Sequence, residues 1–528
     1  MTRVIVRPTL PRLAANAASQ TAIAARASLP FVAWSFVAVT LGLLVGLMAV
    51  ILPPVAVFAV IGGVGLVLLW ALPDLRVVPD RLVRRLLFLA LIVDLCVPTY
   101  YTIQVSALPW ISARRIVIFP LILVFALAFS GSSRARSRMA AVIKDNPIVA
   151  LCAVGYIFMG FVSVFTSVHP PSSMTGVINA LLTWYVPLMA ILYVVRSEDD
   201  VHTVIRLLAF CAIFISAAGA IEFALQKNVF VAIMPHQLVD QLASDNPTFE
   251  RMITVSQFRN GLYRALSTYN VALSFGEFEA MMLPVGYYFI VHSVNGRDRL
   301  LGIVLTFACI VGLFCSGSRG GYMAAMVATG AFSLLFCIRL MLSNARSLAP
   351  AVLGIVALAG FMAFLAAIAV STRLRNVFTG GGEGQLSNDS RREQWEMGIP
   401  HIVSNPFTGH GFDLGGVVLG YHMETGLGTI DSFALSTLLE TGVPGFLLFF
   451  GMVFVAVFSG TWQYLANLTR SGALAGTLGC SLLGFGLYRF ALSQEENFTL
   501  LYVMVGLIMF LNHNCKIARK QRTSVRPA

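Results

Sequence analysis

The sequence predicts an all-α polytopic membrane protein with about fourteen transmembrane helices, and three observations carry that prediction. Of its 528 residues 58% are hydrophobic and 11% charged, with mean hydropathy +0.82. A soluble chain of this length needs more charge to cover its surface. The apolar runs come close to the ~20 residues that span a bilayer as a helix, and none shows the two-residue alternation of a membrane barrel. The basic residues alternate between the two sides that those runs define.

The spans fall near 31–52, 55–72, 86–104, 115–130, 147–167, 176–195, 204–225, 272–293, 300–316, 321–342, 350–371, 437–460, 472–490 and 497–513. The tail ahead of the first holds four arginines and no acid. That first run lacks a small-residue cleavage site, so it is expected to stay as an anchor. The resulting organisation is a tail (1–30), an N-terminal bundle (31–225), a loop (226–271), central helices (272–371), a long loop (372–436), C-terminal helices (437–513) and a second tail (514–528).

One side of this arrangement collects both tails and the connections near 76–85, 134–144, 196–206, 297–299, 339–346 and 470, with 24 of the 36 Lys and Arg residues. The positive-inside rule makes that side cytoplasmic, so both termini are inside and both long loops are outside. The net charge of +12 therefore reports membrane orientation, and no nucleic-acid partner is expected. The eight cysteines lie in apolar runs or, for Cys515, just past the last one. No disulfide framework reaches the outer loops. No CxxC, Cys/His or Asp-x-Asp spacing suggests a metal, and no cofactor is expected.

The basic residues on the minority side are Lys227 and eleven arginines: Arg114, Arg115, Arg251, Arg259, Arg264, Arg319, Arg373, Arg375, Arg391, Arg392 and Arg489. Arginine's planar fork grips phosphate through two hydrogen bonds, so the set reads as a receptor for an anion presented at the membrane. Taken singly, each could instead snorkel or pair with a nearby acid. The longest polar interval, Thr372–Gly445, holds several of them, and a loop of that length between spans points to function.

Four segments stand out along the chain. Ser316-Gly317-Ser318-Arg319-Gly320-Gly321 makes a tight turn between two spans and leaves Arg319 at headgroup level. Arg391 precedes Trp395 by one helical turn. Asn405-Pro406-Phe407-Thr408-Gly409-His410-Gly411-Phe412 follows, and then Asp431-Ser432-Phe433 with Glu440-Thr441-Gly442-Val443-Pro444-Gly445. Upstream, Arg264 lies just before the eighth span and Glu277 and Glu279 in its first turns, either bracing an arginine or meeting substrate. Glu222, Asp94 and Arg489 are further ionisable residues within spans, and the sequence assigns them no role.

In this order around one long loop, these segments resemble the O-antigen ligase/polymerase (Wzy and WaaL-type) membrane family, over roughly Arg264 to Phe450. The resemblance implies a glycosyltransferase at the periplasmic face of the bacterial inner membrane. Its substrates would be a polyprenyl-diphosphate-linked oligosaccharide and a carbohydrate or glycolipid acceptor, and export or assembly proteins would be its partners. The family's arginines fall at Arg319 and Arg391, and one ahead of the eighth span at Arg264; Arg264, Arg392, Glu277 and His422 are the expected substrate-binding residues. Its ligases show a histidine where this chain has Asp431, which favours a polymerase of exopolysaccharide or O-antigen; the ligase that transfers the chain to lipid A core is the alternative.

Physical chemistry supports the same roles. Charge develops on a diphosphate leaving group and is stabilised by fixed arginines, while the acceptor hydroxyl needs a base. Asp431 is the candidate base, or else the N-cap of the helix that follows. His401, His410 and His422 are rival bases, with His410 suited to ordering the loop and His422 second to Asp431. A flippase for the same lipid is the reading from another class, but the chain shows no internal repeat of the kind transporters carry.

Overall fold

The computed structural model describes residues 78–103, 111–245, 247–254, 257–259, 261–343, 383–421 and 429–524, with isolated positions between 352 and 370. All of them fall in the unit Leu75–Ala528. Each expected span outside 31–52, 55–72 and 350–371 has a helix at its position. Of those three, the first two lie outside the described residues and the third is described only at isolated positions. Among the described residues nine helices are long and apolar enough to cross a membrane.

In chain order the helices are α1 (Asp80–Cys96), α2 (Ala113–Ser130), α3 (Ser133–Asp145), α4 (Pro147–Val164), α5 (Pro170–Val194), α6 (Glu198–Leu225), the short α7 (Val229–Ala232), α8 (His236–Asp245) and α9 (Pro247–Thr254). They continue with α10 (Ala272–His292), α11 (Gly296–Ser316), α12 (Arg319–Ser343), α13 (Glu383–Ser404), α14 (Gly415–Leu419), α15 (Phe433–Ala466), α16 (Arg470–Tyr488) and α17 (Phe498–Ser524). Two antiparallel strand pairs, Thr102–Ile103 with Ile111–Ser112 and Phe258–Arg259 with Leu262–Tyr263, sit in connections.

Burial separates the helices into two sets. Leu123, Leu151, Phe158, Phe307 and Phe458 each stay more than 60% exposed, an apolar surface that only lipid would cover. In α16 and α17 the apolar windows are 89% buried, and α10 is buried along most of its length. That central position tolerates Glu277 and Glu279, because a carboxylate at membrane depth must face protein. Glu279 Oε1 accepts from Ser216 Oγ at 2.7 Å. Glu222, on α6, accepts from the Leu266 N–H (3.0 Å), the Ser267 N–H (2.8 Å) and the Tyr263 hydroxyl (3.1 Å). Asp94 pairs with Arg114 at 2.5 Å. Glu222 and Asp94 are therefore braces for the connections beside them.

Charged contacts gather at two ends of the bundle. One end holds Arg84–Asp200 (3.0 Å), Arg196–Asp80 (2.6 Å), Arg206–Asp298 (2.8 Å) and Arg470–Asp199 (3.6 Å), all from connections that the charge pattern assigns to the arginine-rich side. The other end brings together Arg264, Arg391, Arg489 and their partners. The long loop is not irregular there: α13 runs through it for 22 residues.

Candidate functional site

The turn between α11 and α12 is built for close approach. Gly317 takes the left-handed conformation (φ 55°) that reverses the chain. Ser318 Oγ accepts from the Gly321 N–H at 3.1 Å, capping α12, and shares a hydrogen bond of 2.6 Å with the Tyr488 hydroxyl. A Cβ on Gly320 would overlap the Tyr488 ring. Arg319 opens α12 and is half-buried. Arg264 lies against the same turn, its Nε donating to Ser316 O at 3.1 Å, while the Ala265 N–H donates to Cys315 O at 2.9 Å.

Helix α13 carries Arg391 and Gln394 one turn apart, on one face. Arg391 Nη2 donates to Ala491 O at 3.4 Å, and its buried Nε has no hydrogen-bond partner. Gln394 is 1% exposed and its Oε1 accepts the Asp431 N–H at 2.9 Å. Asp431 does not cap α15. Ser432 does, its Oγ accepting from the Leu435 N–H at 3.4 Å. The capping alternative raised by the sequence therefore falls to the next residue, and Asp431 stands one position outside the helix, half-buried.

These pieces meet at a four-residue hub, Tyr488–Ala491. The Tyr488 hydroxyl holds Ser318, beside Arg319. The Arg489 carbonyl accepts the Phe433 N–H at 3.0 Å, two residues from Asp431. The Ala491 carbonyl holds Arg391. Four residues reach at most ~14 Å, so the elements bearing Arg319, Arg391 and Asp431 are anchored within one short span. The connection that follows reinforces this: Ser493 donates to Ile430 O, and Glu496 Oε1 accepts the Asn270 N–H at 2.9 Å.

Beneath the hub, Arg489 and Glu277 form an ion pair with both side chains 0% exposed. Glu277 Oε2 also accepts from Asn497 Nδ2 at 2.8 Å, and Arg489 donates to Gln494 O. The guanidinium carbon lies 4.5 Å from the Phe485 ring centre and 4.8 Å from that of Phe498. Glu277 thus braces an arginine, and that arginine is Arg489. Arg392 sits elsewhere: it projects into solvent and pairs with Glu396 at 2.9 Å. His422 lies outside the described residues.

The Asn405–Phe412 segment is a clasp on α15. His410 N–H donates to Leu439 O at 2.8 Å, Gly411 N–H to Glu440 O at 3.2 Å, and Val443 N–H to Pro406 O at 2.7 Å. The clasp closes where Gly442 breaks the helix with φ 69° and ψ −173°, a conformation that is essentially glycine's alone. His410 Nε2 hydrogen-bonds the His401 backbone carbonyl at 2.9 Å, so the His410 side chain ties the loop to the end of α13. Glu440 Oε1 accepts from Ser436 Oγ (2.6 Å) and the Gly415 N–H (3.1 Å). Across from it, burial and then the Asp413 and Glu440 carboxylates hold Glu495 well above the usual carboxylate range.

Sequence reasoning missed Tyr488, Gln394 and Glu495. Helical spacing from Arg391 would have found Gln394. Two adjacent acids between apolar runs were the signal for the connection 489–497. Among the described residues no group of three or more His, Cys, Asp or Glu is placed to hold a metal ion.

Residues 304–450 match a family model described as O-Antigen ligase (Wzy_C). The curated proteins give no match. The matched stretch runs from α11 through the Ser-Gly-Ser-Arg turn, α13 and the clasp into α15; Arg264, Glu277 and the hub lie outside it. Over residues 304–450, with Arg319, Arg391 and Asp431 inside it, this multi-pass membrane chain is similar to the O-antigen ligase family.

Proposed function

We propose that the chain is a polysaccharide polymerase of the bacterial inner membrane. It transfers a polyprenyl-diphosphate-linked oligosaccharide onto the hydroxyl of a carbohydrate acceptor at the periplasmic face. The observation that carries the reading is the hub, which anchors two arginine-bearing elements and the Asp431 segment within four residues. Arg319 and Arg391 bind the diphosphate, with Arg264 beside the turn. The acceptor oxygen attacks the anomeric carbon, the bond from that carbon to the diphosphate oxygen breaks, and the arginines stabilise the charge left on the carrier diphosphate. Asp431 takes the acceptor's proton. The second reading, a ligase that transfers the chain to lipid A core, is equally compatible with the family description. In a deletion strain, single carrier-linked repeat units indicate the polymerase, and long carrier-linked chains missing from lipopolysaccharide indicate the ligase.

The direct test is Asp431→Asn. Since Ser432 caps the helix and the Asp431 contact to Gln394 is made through the backbone N–H, the amide leaves both in place. Loss of a general base costs on the order of 100-fold to 10,000-fold in rate. Purified, inserted Asp431→Asn protein is expected to make no polymer from lipid-linked repeat units. Near-normal polymerisation would return Asp431 to a structural role.

A further inference from the structure

We propose that Gln394 is a substrate-binding residue, whose side-chain amide donates to an oxygen of the carrier diphosphate beside Arg391 and so fixes that group relative to Asp431. The inference rests on the diphosphate reading of Arg391 and adds to it a neutral donor from the same helix.

The amide has one orientation. Gln394 Oε1 accepts the Asp431 N–H at 2.9 Å, and only the oxygen end of an amide can accept, so Nε2 is left as the donor. That atom is buried, in a side chain 1% exposed, and has no hydrogen-bond partner. A buried N–H without an acceptor forfeits the hydration it had in the unfolded chain, and an apolar side chain of the same length would fill the space without that cost. The contact with Asp431 uses the acceptor alone, so it does not account for the donor.

One turn earlier on α13, Arg391 repeats the pattern. Its Nε is buried without a partner, and its Nη2 reaches the Ala491 carbonyl only at 3.4 Å, the long end of hydrogen bonding. The two side chains lie over one seam, where the Phe433 N–H donates to the Arg489 carbonyl at 3.0 Å and Ser493 Oγ donates to the Ile430 carbonyl. Gln394 holds one side of that seam at Asp431, and Arg391 holds the other at Ala491. Their unpaired N–H groups therefore face the space between α13 and the seam.

Two converging donors, one of them cationic, match the oxygens of a phosphate group. Charge-assisted bonds to phosphate are stronger than a long bond to a neutral carbonyl, so the diphosphate draws Arg391 away from Ala491 and meets the Gln394 donor beside it. One amide then holds Asp431 by its oxygen and the diphosphate by its nitrogen. Base and leaving group are separated by the width of that amide and two hydrogen bonds, a spacing that an arginine by itself does not impose.

The test measures binding of farnesyl diphosphate, a carrier mimic without sugar, to the full chain in detergent, with thermal melts alongside. The parent is expected to bind it, and Arg391→Ala to bind it at least ~10-fold more weakly, the worth of one hydrogen bond to a charged group. Gln394→Glu keeps the oxygen that receives the Asp431 N–H but turns the donor into an acceptor. It should melt near the parent and lose at least ~10-fold in affinity. Gln394→Met removes the donor without adding charge and should lose a similar factor. Glu393→Gln, a charge change on the exposed side of the same helix, should bind like the parent, which separates contact from long-range field. Parent-like affinity in Gln394→Glu or in a folded Gln394→Met overturns the inference and leaves Gln394 as a brace for Asp431, as does an equally large change in Glu393→Gln. Arg391→Ala keeps the two failures apart: weakened binding there leaves the diphosphate reading standing, and parent-like binding there removes it.

Discussion

The buried Arg489–Glu277 pair offers the sharpest perturbation, because its two partners can be removed singly or together. Glu277→Gln leaves a fully buried guanidinium without its carboxylate, beside the Gln494 carbonyl and the rings of Phe433, Phe485 and Phe498. Breaking one side of such a pair costs about 3–5 kcal/mol, a fall of roughly two to three and a half orders of magnitude in the folded ratio at 1.4 kcal/mol per decade. Replacing both partners with apolar residues of similar size removes both desolvation costs and is often neutral. Glu277→Leu with Arg489→Met should therefore melt near the parent in detergent, while each single change melts lower. The double variant also keeps the Arg489 backbone carbonyl that receives Phe433, so chain transfer per folded molecule should return to within about tenfold of the parent, a recovery of all but ~1.4 kcal/mol of barrier. A stable but inactive double variant would refute the bracing role and place Glu277 or Arg489 in contact with substrate.

Three further outcomes follow from the geometry. Gly320→Ala should cut chain transfer at least ~10-fold, because its Cβ collides with the Tyr488 ring, a loss of ~1.4 kcal/mol in the barrier; Gly330→Ala, on the same helix with open space around it, should be neutral or stabilise by up to ~1 kcal/mol, and thermal melts with activity assays separate the two. Gly442→Ala should destabilise by at least ~1–3 kcal/mol, since it forces a side chain into glycine's conformation against Pro406 and Phe407, and limited proteolysis of the clasp would report it. The raised Glu495 means the folded state holds a proton that the unfolded state releases near pH ~4.3, so its contribution is present below that pH and is lost as pH rises through the folded value; Glu495→Gln should be the more stable form at neutral pH, with an advantage that shrinks on acidification in melts taken across pH.

The sequence by itself determined the class of protein and pointed to a candidate site. Apolar run length and charge alternation depend only on what a bilayer accepts, so they can be read without any long-range contact. The turn arginine, the loop arginine and Asp431 could be picked out because each breaks a local expectation: an arginine in a tight turn, a polar loop between spans, an acid just before a helix. Tertiary structure decided which of these groups share a surface. Helical phase turned Arg391 toward Ala491 and sent its neighbour Arg392 to Glu396 and solvent. Ser432 and not Asp431 capped α15, its Oγ accepting from the Leu435 N–H, while the backbone N–H of Asp431 donates across to Gln394 on α13. The two glycine-rich segments proved to be one clasp, with Gly442 supplying a backbone conformation that only a partner 35 residues upstream, Phe407, makes sense of. The hub at Tyr488–Ala491 was hidden for the same reason. Its hydrogen bonds to Ser318, Arg391 and Phe433 cross between 56 and 170 residues of chain, and pairings at that separation leave no periodicity in the sequence from which they could be read.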